Sequence, residues 1–148
     1  MDQFSLRPVT TSDYDALAKL WLASWQSTGL AVAALANAEE LRGRIPAELA
    51  NGWDVTVGVV GPRLVGFLAI KPADAWLDQL FVAPDFQGKG FGRRLLAHAK
   101  ETMPNGFSLF AAVDYAKADA FYLRSGLVKT KTAMHPEFGH AIAFYQWN

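Results

Sequence analysis

The run Val82-Ala83-Pro84-Asp85-Phe86-Gln87-Gly88-Lys89-Gly90-Phe91-Gly92-Arg93-Arg94-Leu95-Leu96 passes from a β-rich stretch through a tight glycine-rich turn into a helix start. A chain that makes this passage packs a strand beside a helix, so it belongs among mixed α/β folds. Unpaired N–H groups at such a helix start point outward, and the helix dipole adds partial positive charge. Glycines let another group approach the backbone closely, so the turn is suited to cradling a phosphate or pyrophosphate. Lys89, Arg93 and Arg94 add cations on flexible stems.

The rest of the chain alternates in period around that segment. Residues 4–9 read as a short strand, and Thr11-Ser12-Asp13 opens a helix with Ser12 and Asp15 at capping-box spacing. Leu17, Trp21 and Trp25 recur every four residues and give that helix an aromatic stripe. A second helix is expected over 39–49, after a weakly patterned stretch at 27–38. Residues 53–60 and 64–70 are β-rich runs joined across Gly61-Pro62, and 75–82 is a third. A helix over 90–103, a strand over 107–113 and a helix over 115–124 follow, the last stopped by Gly126. Residues 127–134 and 141–147 close the chain as strands. The order βααβββαβαββ describes a mixed α/β (α+β) domain built around one sheet and spanning 1–148.

Composition narrows the function classes. The 148 residues hold 14 Lys and Arg against 14 Asp and Glu, a formal charge of zero. Such a balance gives no electrostatic reason to expect nucleic-acid binding. No stretch approaches the length of a membrane span, and the N-terminus has no signal pattern. The chain has no cysteine, which excludes disulfides, thiolate nucleophiles and cysteine zinc sites and suits a reducing cytoplasm. His98, His135 and His140 lack metal-site spacing, so no metal is expected. No Gly-x-Ser-x-Gly elbow supports a covalent serine mechanism.

The glycine turn fits neither common nucleotide fingerprint. A dinucleotide motif needs a third small residue where Arg93 stands, and no Gly-Lys-Ser/Thr follows the loop. What it matches is Gln-x-x-Gly-x-Gly, at Gln87, Gly90 and Gly92. Downstream, Ala118-Asp119-Ala120-Phe121-Tyr122-Leu123-Arg124-Ser125-Gly126-Leu127 matches Ala-x-x-Phe-Tyr-x-x-x-Gly-Phe, with Leu127 in place of the closing Phe. Together, in this order and separation, the two patterns resemble the GNAT superfamily of acyl-CoA-dependent N-acyltransferases. One departure is plain. The Asn usual three residues before that Ala is here Tyr115, with Asp114 beside it.

The resemblance implies a mostly antiparallel sheet of about seven strands, splayed in the middle and flanked by about four helices. It implies acetyl-CoA as cosubstrate, lying between the strand that ends at Val82 and the one that ends near Val113. Leu80, Phe81 and Val82 would meet the pantetheine arm, and a backbone N–H there, that of Val82, would steady the developing oxyanion. Gln87, Gly88, Lys89, Gly90, Phe91, Gly92 and Arg93 would hold the pyrophosphate. Tyr115, Ala118 and Phe121 would border the cosubstrate from the later helix. Tyr122 occupies the position from which a phenol returns a proton to the CoA thiolate, and it also reads as a core aromatic.

The acceptor would be a primary amine of a small molecule or a protein N-terminus. An alkylamine with pKa about 10.4 is mostly protonated at neutral pH and needs a base. Asp78 is the first candidate, either as base through water or as anchor for the ammonium. Alternation places it on one strand face with Trp76, Leu80 and Val82 if no bulge intervenes. Glu137, His135 and His140 are the alternatives. Trp25 and residues 27–38 are candidates to line an apolar acceptor pocket, which would favour a small, partly hydrophobic amine. Two other readings stay open: a non-catalytic acyl-CoA-binding domain, and an α/β interaction domain whose glycine loop is only a turn. The C-terminal run Phe144-Tyr145-Gln146-Trp147 either packs internally or exchanges across a homodimer.

Overall fold

The computed structural model of the chain describes residues 3–27, 37–113 and 115–148; Asp114 and most of the 27–38 stretch lie outside the described residues. Strand β1 (Phe4–Pro8) leads through a 3-10 turn at Thr11–Asp13 into α1 (Tyr14–Ser27), and α2 (Ala38–Ala50) follows. Three strands come next: β2 (Asp54–Val60), β3 (Arg63–Lys71) and β4 (Trp76–Val82). The remainder is α3 (Phe91–Thr102), β5 (Phe107–Ala112), α4 (Ala116–Arg124), β6 (Val128–Met134) and β7 (Ala141–Trp147). The expected element order is the observed one. The strands form one seven-stranded sheet in the order β1-β2-β3-β4-β5-β7-β6.

Neighbouring residues of β3 face opposite ways, as strand alternation requires. Leu68 and Ile70 join a core with Leu95, Leu96 and Ala99 of α3 and Tyr122 of α4. Phe67 and Ala69 join another with Leu17 and Trp21 of α1 and Leu41 and Ile45 of α2. Helices therefore cover both faces of the sheet. Strand β7 pairs with β5 on one side and β6 on the other, and Tyr145 is buried. The C-terminal aromatic strand thus packs inside the sheet.

The helix-entry box differs from the one expected. It is formed by Thr10 and Asp13, rather than by Ser12 and Asp15. The reason is Arg7, whose guanidinium donates to both oxygens of Asp13 at 2.7 and 2.9 Å. That pairing turns the carboxylate back onto the Thr10 amide, 2.7 Å away. Asp15 instead accepts from Arg42 at 2.9 Å and ties α1 to α2.

Strand β4 is where the sheet departs from regularity, and it does so twice. Opposite β3, Ala69 faces Gln79 but Ile70 faces Leu77, so Asp78 is the extra residue of a β-bulge. The bulge shifts the alternation by one. Leu77, rather than Asp78, shares the α3–α4 core with Val82 and Leu80. The expected face of Trp76, Asp78, Leu80 and Val82 is therefore broken at Asp78. On its other side β4 runs parallel to β5, but the register holds only at Trp76 opposite Ser108. Beyond that pair the two strands diverge.

The Arg7 hydrogen bonds, outweighing the cost of burial, hold the Asp13 carboxyl well below the usual carboxylate range. Because the folded group titrates below its unfolded value of about 3.9, this stabilisation is complete above that value and fades as pH falls further. Arg7 is partly exposed, so the pair contributes on the order of 1 kcal/mol. Asp13→Asn should flatten the loss of stability on acidification from pH about 5 to about 2, read from urea midpoints. An acid slope equal to that of the unaltered chain would show that the pair does not matter.

Candidate active site

The divergence of β4 and β5 opens a cleft of about 570 Å³. Which backbone groups face it follows from the ladder on the other side of β4. In an antiparallel pair, alternate residues bond to the partner strand. Ala83 N donates to Val65 O at 2.8 Å, so Phe81 also turns its backbone groups towards β3. Leu80 and Val82 turn theirs towards the diverging β5. Their polar groups therefore line an open slot suited to an extended, amide-bearing chain. The Phe81 ring belongs to the core under α1 and α2 and its backbone groups face β3, so Phe81, expected beside the pantetheine arm, offers the slot no polar group.

At the end of β4 the glycine loop takes over. The Gln87 side chain donates to Val82 O at 2.8 Å, and its amide reaches Pro84 O at 3.3 Å. Gln87 therefore closes the turn with both groups and offers no free amide. Gly88 and Gly90 have φ of 79° and 84°, left-handed backbone that an L side chain adopts at a cost. Gly90 caps α3 without any side-chain hydrogen bond. Among the described residues, the amides of residues 88–93 have no hydrogen-bond partner. This is an anion cradle at a helix N-terminus.

The side chains around the loop divide between packing and solvent. Lys89 and Arg93 are exposed. Arg94, also expected as a mobile cation, is committed instead, donating to Phe4 O at 2.8 Å and lying over the Phe4 ring. Phe91 stacks on Phe4 with ring centroids 4.0 Å apart. Phe121 packs against Gly92, where an added Cβ would sit 3.5 Å from its ring.

Helix α4 brings Ala118 and Tyr122 to the cleft wall, and Tyr115 caps its N-terminus. Tyr122 is 7% exposed and packs against Phe121 and Tyr145 at 5.3 and 5.6 Å. Burial pushes its phenol further above the ordinary tyrosine value, so it stays protonated. The core reading of Tyr122 thus holds, and its phenol keeps the proton that a donor would need. The Tyr115 hydroxyl lies 3.4 Å from Ser27 Oγ at the end of α1.

The other half of the cleft is walled by α1, α2 and the β6–β7 turn. Asp78 lines it and accepts a hydrogen bond from Trp53 Nε1 at 2.8 Å. The bulge that removes Asp78 from the α3–α4 face is what turns it to Trp53. The aromatic stripe of α1 is divided, with Leu17 and Trp21 buried and Trp25 half-buried. Trp25 meets Phe138 edge-on at 5.8 Å, which joins α1 to the turn.

That turn also brings in the three alternative bases. His135 Nδ1 accepts from the amides of Glu137 and Phe138, both at 3.1 Å. When neutral, His135 therefore carries its proton on Nε2 and has no free nitrogen lone pair to act as base. His140 stacks beside it at 5.0 Å. Sequence reasoning did not single out Arg44, Glu48, Phe110 or Phe138, which also line the cleft. Arg44 and Glu48 stand four residues apart on one helix face, a spacing equally common on plain solvated faces.

The matched family accounts for this architecture. The acetyltransferase (GNAT) family model matches residues 14–127, and the chain belongs to that family. It is 34% identical over 71 residues to a mycothiol acetyltransferase of Thermobispora bispora. That stretch is 48% of this chain and spans 24% of the relative's length. Among solved structures, the yncA protein of Salmonella typhimurium, with its cofactor acetyl-CoA, aligns with a TM-score of 0.75 at 15% identity. The alignment covers 98% of this chain and 93% of that one. A ribosomal-protein-alanine N-acetyltransferase of Brucella melitensis aligns with a TM-score of 0.76 at 20% identity, over 97% and 98% of the two chains.

Burial first, and then the neighbouring His135, lower the pKa of His140. An imidazole NMR titration should therefore show His140 losing its charge below the ordinary value of about 6.5 and neutral at pH 7. A midpoint at or above that value would mean the turn is solvated in solution.

Proposed function

We propose that the chain transfers an acetyl group from acetyl-CoA to a primary amine by direct attack. The observation that carries this reading is the slot between β4 and β5, with free amides at its loop end and Tyr122 in its wall. Acetyl-CoA supplies an activated thioester carbonyl. In this reading the backbone of Leu80 pairs with the amide-bearing arm, and the Val82 N–H, its carbonyl being held by Gln87, faces the carbonyl oxygen as negative charge develops. Residues 88–93 receive the pyrophosphate, with Lys89 and Arg93 as screening cations. Tyr115, Ala118 and Phe121 border it on the α4 side.

Asp78, held by the Trp53 N–H, takes a proton from the acceptor ammonium through water. The freed amine nitrogen forms the C–N bond while the thioester C–S bond breaks. Tyr122 protonates the departing sulfur, and the proton that the acylated nitrogen sheds as it becomes an amide returns through water to the Tyr122 phenolate. Holding both reactants in one cleft makes the step effectively unimolecular. The neighbours' names speak for small-molecule and protein acceptors alike. Use of acetyl-CoA and the absence of cysteine fit a cytoplasmic setting.

Isothermal titration with acetyl-CoA should show binding by the unaltered chain and its loss in Gly90→Glu, which adds a carboxylate where the pyrophosphate would sit. Absence of binding by the folded, unaltered chain would sink the cosubstrate assignment. Tyr122→Phe should retain acetyl-CoA binding and lower kcat about a hundredfold. A domain that only binds acyl-CoA would have no turnover to lose, so equal rates in both proteins would reject Tyr122 as donor.

A further inference from the structure

The acceptor half of the cleft holds charged groups of both signs. Arg44 and Lys71 are its cations, and Glu48, Asp78 and Glu137 its carboxylates. The ion pairs among the described residues lie elsewhere, at Arg7–Asp13, Arg42–Asp15, Arg63–Asp85 and Lys129–Asp119. Beside these free charges sits an unusual donor. Trp21 is 1% exposed and lines the cleft, yet its Nε1–H has no hydrogen-bond partner among the described residues. Buried polar groups are ordinarily paired, so an orphan at a cavity wall calls for an explanation. Trp53 makes the contrast clear, because its own indole N–H reaches Asp78.

The Arg44 guanidinium lies 4.9 Å from the centre of the Trp21 ring. A guanidinium and an indole N–H offer donors and no acceptor, so the group that complements both is an anion. A planar carboxylate matches the guanidinium fork and leaves lone pairs for the indole. Lys71 supplies a further cation on the same wall but has no unpartnered donor beside it. The Trp25–Phe138 pair adds apolar surface across the cleft.

We propose that the acceptor is a small zwitterion resembling an amino acid, with its carboxylate received by Arg44 and the Trp21 N–H. Its apolar body lies along Trp25 and Phe138, and its amine points to Asp78. This rests on the acetyl-transfer reading above and narrows its substrate class. A polycationic acceptor would set its charges against Arg44 and Lys71.

The test uses matched amines with and without the carboxylate: L-phenylalanine with phenethylamine, L-leucine with isopentylamine, and L-methionine with 3-(methylthio)propylamine. Rates are read as thiol release at saturating acetyl-CoA, with acetyl-CoA binding measured separately by calorimetry. The carboxylate-bearing member of at least one pair should have the higher kcat/KM by more than about tenfold, and Arg44→Gln should shrink that ratio about tenfold through KM. Trp21→Phe, which keeps an aromatic ring but removes the N–H and part of the bulk, should shrink it in the same direction, with retained acetyl-CoA binding again checking the fold. Arg44 is exposed, so its variant should fold, and retained acetyl-CoA binding checks this. If acetyl-CoA binds but the decarboxylated amines are preferred, or no carboxylate-bearing amine is acetylated, the substrate class is wrong while the cosubstrate site stands. A ratio untouched by Arg44→Gln would also overturn it. Failure to bind acetyl-CoA at all would remove the underlying reading together with this one.

Discussion

The site depends on a ladder that stops. Strands β4 and β5 are joined at Trp76 opposite Ser108, where Ser108 N donates to Ala75 O at 2.9 Å, and then part. An exposed row of unpaired strand groups is ordinarily a liability, and here it becomes the wall of a cleft. Something else must hold the two halves of the sheet together. At the fork, Trp76 packs on Phe110 and Phe144 of the far half at 5.6 and 6.4 Å. Beneath it, Leu77 and Val82 of β4 share one core with Leu109 of β5 and Tyr145 of β7, bridged by Leu95 and Leu96 of α3. Side-chain burial takes over where backbone pairing ends. The Leu80 backbone and the Val82 N–H stay available because the α3–α4 core is continuous across the gap, whereas the Val82 carbonyl is taken by Gln87.

Much of this could be read from the sequence. Glycines mark positions where the backbone must turn left-handed, so the loop and the α3 start were legible from residues 87–92. The later Phe-Tyr helix was legible because its residues meet a fixed surface, Phe121 on Gly92 and Tyr122 on Tyr145. The bulge was not. Trp76-Leu77-Asp78-Gln79-Leu80 alternates acceptably with or without an extra residue, and only the register against β3 decides. Likewise the capping box moved because Arg7, six residues from Asp13, competes for the carboxylate, which no local pattern records. This wall of the cleft gathers Arg44, Lys71, Asp78, Phe110 and Phe138 from separate elements. Apart from Asp78, none carries a signal at its own position, since their proximity is a product of the fold.

The bulge and the cleft are linked physically. Without it Asp78 would point into the apolar core under α3 and α4, where an unpaired carboxylate is costly. With it Leu77 fills that place, and Asp78 meets an indole N–H on the cleft side. One inserted residue therefore repairs the core and supplies the site with a carboxylate. The Trp53 bond also limits Asp78 to few orientations, which on the proposed chemistry favours a fixed water path over direct contact with many acceptors.

Burial sets the terms on which Tyr122 can act. Its phenol, ordinarily near 10 and raised further here by desolvation, stands above a thiol at about 8.5. Complete transfer to a free thiolate is therefore uphill in a dry cleft, and a tyrosinate beside Tyr145 would gain no solvation. An intact thioester sulfur is a far weaker base still. On the proposed chemistry the proton can move only as the C–S bond is well broken, and the phenol acts until then as a hydrogen-bond donor to the growing charge. That order suits the reaction. A donor released earlier would protonate the incoming amine, whereas a buried phenol is held back from it. On that chemistry, the features that make Tyr122 a core residue also time its proton.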